Sequence, residues 1–394
     1  MAAIFAASQG AETLLLERTK DGGRKILISG GGRCNILPAT LDESRFVTDS
    51  SPHTLRRIVR SWPLREQIDF FERDAAIPLM EEAASGKLFP QSESARDVRD
   101  RLFALARAKS VVIAPGVIVT GIAPSGAEWR ITQQDGPPFL ADAVIVATGG
   151  LSVPATGSDG TGLSIVEQLG HTINRTYAAL TPLIANSPAT AFATLAGVSL
   201  PVTLTARAGG LTAIARGGFL FTHQGYSGPA VLDVSHVAVR SREEMETPAR
   251  ISVRWTPLDA EQWETALRPV GTRTVLNAVS AHLPGRLAEA LLELSGMDLR
   301  RKLAQMTRDE RTRLIGLLMH GDLPWTGDEG YKKAEVTGGG VALSEIEART
   351  MESKRHPGLF LCGEILDAFG PIGGYNFLWA WVTGRAAGIG AASR

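Results

Sequence analysis

The stretch GGRKILISGGGRCN, residues Gly22–Asn35, decides how the rest of this sequence is interpreted. Three consecutive glycines, residues 30–32, stand between a short apolar run and an Arg-Cys-Asn sequence. Because glycine has no Cβ, its backbone can adopt positive φ angles and come close to a ligand. Clustered N–H groups beside Arg24, Lys25 and Arg33 would seat an anion or an electron-rich ring. The alternative is a glycine-rich surface turn, and the remainder of the chain decides between the two.

Composition sets the broad class of the protein. The 394 residues exceed one ordinary core, so we expect two or three domains. Lysine plus arginine and aspartate plus glutamate both number 41, so the net charge gives no signal for a nucleic-acid partner. The two cysteines, Cys34 and Cys362, predict no disulfide framework and fit a reducing compartment. With no apolar run of about 18 residues and no basic segment before the first apolar residues, we expect a cytoplasmic protein without a membrane partner.

The order of residue types along the chain predicts the domain organisation. Thr13–Glu17 and Ala143–Gly150 read as short buried strands, and the second runs directly into Thr-Gly-Gly. Thr190–Arg216 alternates with a period of two, which is typical of antiparallel strands. We therefore predict an α/β domain in residues 1–180 and an inserted domain in 181–335, with a β part at about 181–258 and a helical part at about 259–330. Residues 336–394 return to α/β character.

Five glycine motifs surround the insert. Several follow apolar strands, and together they would give an extended ligand several close backbone approaches, as a dinucleotide with a central pyrophosphate requires. A small metabolite needs fewer. The motifs lie at residues 30–32, 149–150, 157–162, 363–364 and 373–374.

The motifs as a set resemble a known family. GRKILISGGGRCN, ATGG, TGSDGTG, FLFTHQGYSGP, VTGGGV and LFLCGEILD with GPIGGYNFLWAW are similar, in the same order over nearly the whole chain, to the aminoacetone-oxidase-like (BaiN-like) family of FAD-dependent oxidoreductases. The resemblance implies an α/β fold with a discontinuous Rossmann-like FAD domain and an inserted β-rich and helical substrate domain. It also implies FAD as cofactor, either reduced by NAD(P)H or oxidising an amine or related small molecule with oxygen.

The resemblance also implies the cofactor contacts. Glu17 would bind the adenosine ribose, Val119 would meet adenine through its backbone, and the helix after Gly373 would face the pyrimidine edge of the flavin, where it can stabilise the anionic reduced ring. The full set carried over by motif is Glu17, Arg24, Lys25, Ser29, Gly31, Gly32, Arg33, Cys34, Asn35, Val119, Ala147, Thr148, Gly149, Gly363, Glu364, Asp367, Gly373, Gly374, Tyr375, Asn376 and Leu378.

One family feature is missing from the sequence. Members begin with a strand and a G-x-G-x-x-G turn that holds the pyrophosphate, whereas Met1 here aligns inside the helix that follows. The expectation is a sequence truncated by roughly fifteen residues. A protein shortened in this way would bind FAD weakly or not at all, which absorbance in the flavin bands would test.

Three functions remain open at this stage. The first is an FAD-dependent oxidoreductase acting on a small organic substrate. The second is a non-catalytic or degenerate flavoprotein-fold binding module, since the phosphate-binding turn is absent. The third is an RNA-modifying flavoenzyme, which the zero net charge disfavours. No side chain must be a catalytic acid or base; His223 and Tyr226 are weak candidates, and we expect no metal site.

Overall fold

The computed structural model describes residues 1–83, 85–185, 192 and 194–394. The chain forms two compact units. Unit 1 comprises Met1–Tyr177 together with Val336–Arg394, and unit 2 comprises Ala178–Glu335. Within the described residues, no helix combines the length and the apolar content needed to cross a membrane.

The helices begin and end as follows: α1 Ala2–Ser8, α2 Arg24–Ile28, α3 Pro52–Val59, α4 Leu64–Asp69, α5 Ala95–Ala108, α6 Thr161–Gln168, α7 Pro229–Glu244, α8 Ala260–Ala266, α9 Val275–Val279, α10 Gly285–Leu294, α11 Arg308–His320 and α12 Tyr375–Ala392.

The strands are β1 Leu14–Glu17, β2 Leu37–Pro38, β3 Leu79–Glu82, β4 Lys87–Pro90, β5 Val112–Pro115, β6 Val119–Ser125, β7 Glu128–Gln133, β8 Phe139–Ala141, β9 Val144–Val146, β10 Ile173–Ala179, β11 Leu183–Ile184, β12 Ser199–Ala208, β13 Leu211–Phe221, β14 Gly225–Ser227, β15 Arg250–Arg254, β16 Gly321–Asp322, β17 Gly327–Asp328, β18 Val336–Val341 and β19 Leu359–Leu361.

Two parallel strand pairs set the position of the site in unit 1. Strand β1 pairs with β5, and β9 pairs with β19, with Val144 opposite Leu359. Both partners in the second pair are short apolar strands, as expected for strands that lie inside an α/β domain. Because they run in the same direction, Ala147–Gly150 and Cys362–Glu364 leave the sheet at the same edge, where Cys362 N–H donates to Val146 O at 3.1 Å. Ligands of α/β folds bind at such an edge.

The last helix closes the core of unit 1. Helix α12 is apolar on all sides, which is typical of a buried helix, and it packs against α1. Gly388 makes this close contact possible, since a Cβ there would lie 2.3 Å from Ala2 O. Trp381 Nε1 donates to Ile36 O at 3.1 Å and ties the helix to the segment after the glycine turn.

Unit 2 is built on a seven-stranded antiparallel sheet in the order β16-β15-β12-β13-β14-β11-β17. Strand β12 lies inside the segment predicted to be antiparallel, Thr190–Arg216, and β13 begins inside it but continues to Phe221. Residues 190, 191 and 193 of that segment lie outside the described part. The 16-residue helix α7, which packs on β12 and β13, was not predicted. Its sequence, PAVLDVSHVAVRSREE, is rich in valine and lacks a clear polar face, so its pattern does not distinguish a buried helix from strands.

Candidate functional site

The glycine turn in Gly22–Asn35 has an unusual backbone. Helix α2 ends at Ile28, and a tight turn follows in which Gly30, Gly31 and Gly32 have φ angles of 55°, 68° and 87°. A Cβ at Gly31 or Gly32 would meet nothing within 4 Å, whereas one at Gly30 would lie 3.0 Å from Asn35 N. Gly31 and Gly32 therefore present open backbone that a ligand could approach closely, while Gly30 fixes the turn against Asn35.

A polar network connects this turn to the ends of β9 and β19. Lys25 Nζ forms an ion pair with Glu364 Oε2 and donates to Ser152 Oγ at 2.5 Å. Ser152 Oγ in turn donates to Glu364 Oε1 at 2.5 Å. Thr337 donates to the same oxygen through its hydroxyl at 2.9 Å and its backbone N–H at 3.0 Å. Three segments distant in sequence are thus held together around one carboxylate, as charge-assisted hydrogen bonds favour.

Glycines allow these segments to approach each other. A Cβ at Gly150 would lie 2.4 Å from Thr337 Oγ1, and one at Gly162 would lie 1.9 Å from Thr148 Oγ1. Gly149 has a φ of 74° and lies against Ser158. The ATGG and TGSDGTG motifs are therefore packed together beside β9, and Ala147, Thr148 and Gly149 lie at the carboxyl end of that strand.

Glu17 ends β1, as predicted, and its carboxylate is anchored locally. Thr19 donates to Glu17 Oε1 through its N–H at 2.7 Å and its hydroxyl at 2.6 Å. Val117 N–H donates to Glu17 O at 3.0 Å, so the chain that leads into Val119 runs beside the end of β1. Glu17 and Val119, both expected near the adenosine part of the cofactor, are brought to the same side of unit 1.

The two arginines of the turn have acidic neighbours. Arg24 Nε pairs with Asp21 at 2.8 Å, and Arg33 pairs with Glu82 at 3.1 Å and Glu93 at 3.4 Å. Arg33 also lies over the Phe89 ring, 4.1 Å from its centroid. Both side chains keep more than a third of their surface exposed, so ligand binding would have to compete with these weak surface pairs.

The predicted contacts at the start of α12 divide into backbone and side-chain groups. Gly374 precedes the helix without a side-chain cap, which leaves first-turn N–H groups for a ligand. The Asn376 side chain instead exchanges two 2.9 Å hydrogen bonds with the backbone of Gly370. Tyr375 Oη accepts from Asp42 N–H at 3.2 Å, and Leu378 is fully buried. Gly373 and Gly374 are both buried, and a Cβ at Gly374 would lie 2.4 Å from Leu37 C, so this glycine allows close packing on the backbone of β2.

Asp367 is buried and its carboxylate is used inside the protein. Oδ2 accepts from Ser50 Oγ at 2.7 Å, Asn174 Nδ2 at 2.6 Å, and Thr48 Oγ1 and Asp49 N–H at 3.1 Å each. The side chain is only 1% exposed. Asp367 is close to Gly363 and Glu364 in sequence, but its carboxylate points toward the loop of residues 48–50.

The two cysteines have the properties of small buried apolar residues. Burial raises the pKa of Cys34 to about 11, although Ser29 opposes the shift through a hydrogen bond. Burial likewise raises the pKa of Cys362 to about 12. Neither thiol forms a thiolate nucleophile near neutral pH. Ser29 also donates to Ile26 O at 2.8 Å, which stabilises the end of α2.

The weak catalytic candidates both belong to unit 2. His223 is exposed in the turn between β13 and β14. Tyr226 is 1% exposed in an aromatic cluster with Phe219 and Phe221, where burial raises the pKa of its hydroxyl. Tyr226 is therefore part of the core of unit 2, and no observation assigns a chemical role to either residue.

Sequence reasoning missed two members of the polar network, Ser152 and Thr337. Ser152 lies two residues after the ATGG motif, and Thr337 lies within VTGGGV. A hydroxyl close to glycines at a strand end was the available signal. The partner of these hydroxyls, Glu364, was predicted, but only the fold shows which hydroxyls reach it.

A second missed cluster has the partners of a hydrolase triad. His171 Nδ1 lies 2.9 Å from Glu345 Oε2, and His171 Nε2 lies 2.9 Å from Ser353 Oγ. Ser353 Oγ accepts the N–H groups of residues 355 and 356, is 5% exposed, and so donates its proton to the imidazole. A hydrogen bond from Arg355 lowers the pKa of Glu345 to about 2, and burial lowers the pKa of His171. Because Ser353 is buried and its Oγ already has three partners inside the protein, the cluster joins the segments of residues 171, 345 and 353 and does not present a nucleophile at the surface.

The residues present fit FAD. Gly31 and Gly32 leave open backbone, the start of α12 lacks a side-chain cap, and the Glu364 network supplies hydroxyl and charged groups at the sheet edge where nucleotides bind. These are the group types that a dinucleotide with hydroxyls and a pyrophosphate requires.

Known proteins are similar to this chain in sequence or in fold. The chain is 32% identical over 381 residues to a ribosomal RNA dihydrouridine synthase of Escherichia coli, covering 96% of this chain and 91% of that protein. It is 32% identical over 403 residues to a 3-dehydro-bile acid delta(4,6)-reductase of Clostridium scindens, covering 100% and 96%. The FrdA subunit of E. coli quinol fumarate reductase superposes with a TM-score of 0.50 at 13% identity, covering 100% and 68%.

The family model described as HI0933-like protein Rossmann domain matches residues 1–390. The mixed α/β architecture, with parallel strand pairs in unit 1, agrees with this match and with the fold class predicted from sequence. The narrower aminoacetone-oxidase-like assignment stays a prediction. The chain belongs to the HI0933-like family of FAD-binding, Rossmann-type flavoprotein oxidoreductases.

Proposed function

We propose that this flavoprotein reduces a conjugated carbon–carbon double bond, with NAD(P)H as the source of electrons. The observation that carries the proposal is that two relatives, each matching at least 96% of this chain, have names that describe the same change in bonding. Dihydrouridine is uridine with a saturated ring double bond, and a delta(4,6)-reductase saturates double bonds of a steroid. The net reaction adds one hydride and one proton across the double bond and oxidises the nicotinamide nucleotide.

The residues of unit 1 would bind and orient the cofactor. Gly31 and Gly32 would lie along it through their backbone, and Glu17 would accept from ribose hydroxyls. Glu364 would hold a ribityl hydroxyl, with its orientation fixed by Thr337 and by the ion pair to Lys25. When bound, FAD supplies the two-electron transfer between donor and substrate. The uncapped start of α12 would stabilise negative charge at that end of the site.

The substrate domain is proposed to be unit 2, since the insert at residues 181–335 lies outside the strands that carry the cofactor motifs. Two alternatives are distinguished by experiment. The first alternative is an oxygen-linked oxidase, by analogy with the amine oxidation that the family resemblance implies. Such an enzyme would need oxygen to turn over. A degenerate binding module would contain no flavin that NAD(P)H can reduce.

The test uses the purified full chain reconstituted with FAD under anaerobic conditions. NADH or NADPH should bleach the flavin absorbance, and a 3-keto-Δ4,6 steroid or a uridine-containing RNA should then restore it without oxygen. Product saturation would be checked by mass spectrometry as a gain of two hydrogen atoms. Reoxidation by oxygen alone would overturn the reductase proposal, and the absence of bound flavin would support the binding module.

A further inference from the structure

Helix α3 carries a basic surface that the cofactor site does not use. Its apolar residues, Leu55, Ile58 and Val59, are fully buried or nearly so. The opposite side, which we name the α3 basic face, borders an open concavity of about 520 Å³ and consists of His53, Arg56, Arg57, Arg60 and Ser61. The alternation of buried apolar and exposed basic positions follows from the amphipathic spacing of the helix.

The guanidinium groups of this face remain available. Arg57 is exposed and, within the described part of the chain, has no acidic partner. Arg56 Nε donates to the backbone Pro52 O at 3.1 Å, so its charge is not neutralised there. Arg60 pairs with Glu43 at 2.8 Å, but its side chain is 69% exposed. Lys354 and Glu347 line the adjoining groove with Arg57 and cancel in charge. The face is therefore positive although the whole chain has no net charge.

Helix α3 is fixed to the segment that carries the site. The loop before it donates to Asp367 through residues 48–50, and Val47 and Phe369 exchange backbone hydrogen bonds of 2.8 and 3.1 Å. Ser50 Oγ also accepts from Leu343 N–H at 3.0 Å. Because Asp367 lies three residues after Glu364, the position of the α3 basic face is determined by the same chain segment as the polar network.

We propose that the α3 basic face binds the phosphate backbone of an RNA substrate. This inference rests on the proposed function and specifies its substrate class. Arginine forks match phosphate oxygens, and a polynucleotide whose base is being reduced needs contacts to its backbone away from the reacting ring. Two relatives that match at least 96% of this chain act, by their names, on ribosomal RNA. The zero net charge of the chain led us to expect no nucleic-acid partner. The net charge is a sum over the whole chain, however, and does not show a local positive surface such as the α3 basic face.

The test is a salt titration of RNA binding. A fluorescein-labelled, single-stranded 20-nucleotide RNA rich in uridine is titrated with the FAD-reconstituted full chain, and fluorescence anisotropy is measured at several KCl concentrations. Each phosphate contact to a single strand contributes about 0.7 to the salt slope. Arg56→Ala with Arg57→Ala should therefore reduce the slope by about 1.4 and weaken binding roughly 25-fold at about 0.1 M salt. The matched control is Arg308→Ala with Arg313→Ala, which removes two exposed arginines of α11 and should leave both values unchanged.

The same samples are tested for flavin content and for bleaching by NAD(P)H, which the α3 substitutions should not change. Equal affinity and slope in wild type and the α3 variant would overturn the inference while leaving the reductase proposal intact. A wild-type protein that reduces a steroid enone but does not bind the RNA would likewise overturn the RNA-binding inference and leave the reductase proposal intact. Arginine-dependent RNA binding without flavin reduction would support the surface and refute the reductase. Binding to phosphatidylglycerol vesicles more tightly than to RNA would also overturn the inference.

Discussion

Replacing Asp367 by asparagine should strongly destabilise unit 1. The buried carboxylate accepts four hydrogen bonds of 2.6–3.1 Å from residues 48–50 and 174. Hydrogen bonds to a charged group contribute about 1.5–3 kcal/mol each. Asparagine retains one acceptor oxygen, removes the charge and adds N–H donors where the neighbours are themselves donors. All four bonds end on Oδ2, whose position the amide oxygen can take, so the bonds persist but lose the charge of their acceptor. A loss of about 1 kcal/mol for each bond gives an expected decrease of roughly 3–5 kcal/mol in the free energy of unfolding.

Two measurements would test this value for Asp367→Asn. Urea denaturation at pH 7 gives the change in unfolding free energy, and we expect the melting temperature to fall by roughly 10 °C for a unit of this size. Hydrogen–deuterium exchange should rise in the peptide that contains residues 47–50, because its anchor is weakened.

The matched control for this substitution is Asp74→Asn. Asp74 is exposed in unit 1, so its replacement should change the unfolding free energy by less than about 0.5 kcal/mol. A loss below about 1 kcal/mol in Asp367→Asn, with unchanged exchange at residues 47–50, would show that the four donors find other partners and would refute the reasoning.

Three further predictions concern pH, packing and cofactor affinity. The pKa of Glu345 lies at about 2 in the folded protein against an ordinary 4.5, so the stability that this carboxylate contributes is present above about pH 4.5 and is lost as the pH falls through 2. The urea concentration at half-unfolding should therefore fall between about pH 5 and 2 in the wild type and fall less in Glu345→Gln. An equal fall in both proteins would contradict this prediction. Gly388→Ala places a methyl group against a carbonyl of α1 and should lower the melting temperature by several degrees, whereas Gly316→Ala, with open space around it in α11, should raise it slightly. In calorimetry, a rise for Gly388→Ala or a fall for Gly316→Ala would contradict the corresponding prediction. Thr337→Val removes a hydroxyl that donates to Glu364 and should weaken FAD binding about fivefold to tenfold in a flavin-fluorescence titration; an unchanged Kd would show that the network does not hold the cofactor.

Short-range patterns predicted much of the fold. The apolar run before Glu17, the run before Thr-Gly-Gly and the closing helix α12 were all found where the sequence placed them. Helix α7 was missed because valine-rich buried helices and strands share the same apolar pattern. The absence of a helical period therefore left the valine-rich segment of α7 ambiguous between helix and strand.

The site was less accessible to sequence reasoning than the fold. Glycine motifs identified the segments, but the carboxylate of Asp367 and the amide of Asn376 turned out to bond within the protein. The hydroxyls of Ser152 and Thr337, by contrast, meet Glu364 across 212 and 27 residues of sequence. Which polar groups find each other over such separations depends on tertiary packing, and no single sequence pattern encodes it.

The packing of α12 against α1 has a consequence for biosynthesis. Unit 2 is a contiguous segment, so all its strands have been synthesised before Val336 is added. Unit 1 needs β19, Glu364 and α12, all of which are synthesised after unit 2. Since domains generally fold as units during synthesis, unit 2 can fold first, while residues 1–177 remain incompletely folded until the rest of unit 1 has been synthesised. Flavin incorporation then becomes a late event of maturation, and chaperone dependence should concentrate in the residues before the insert.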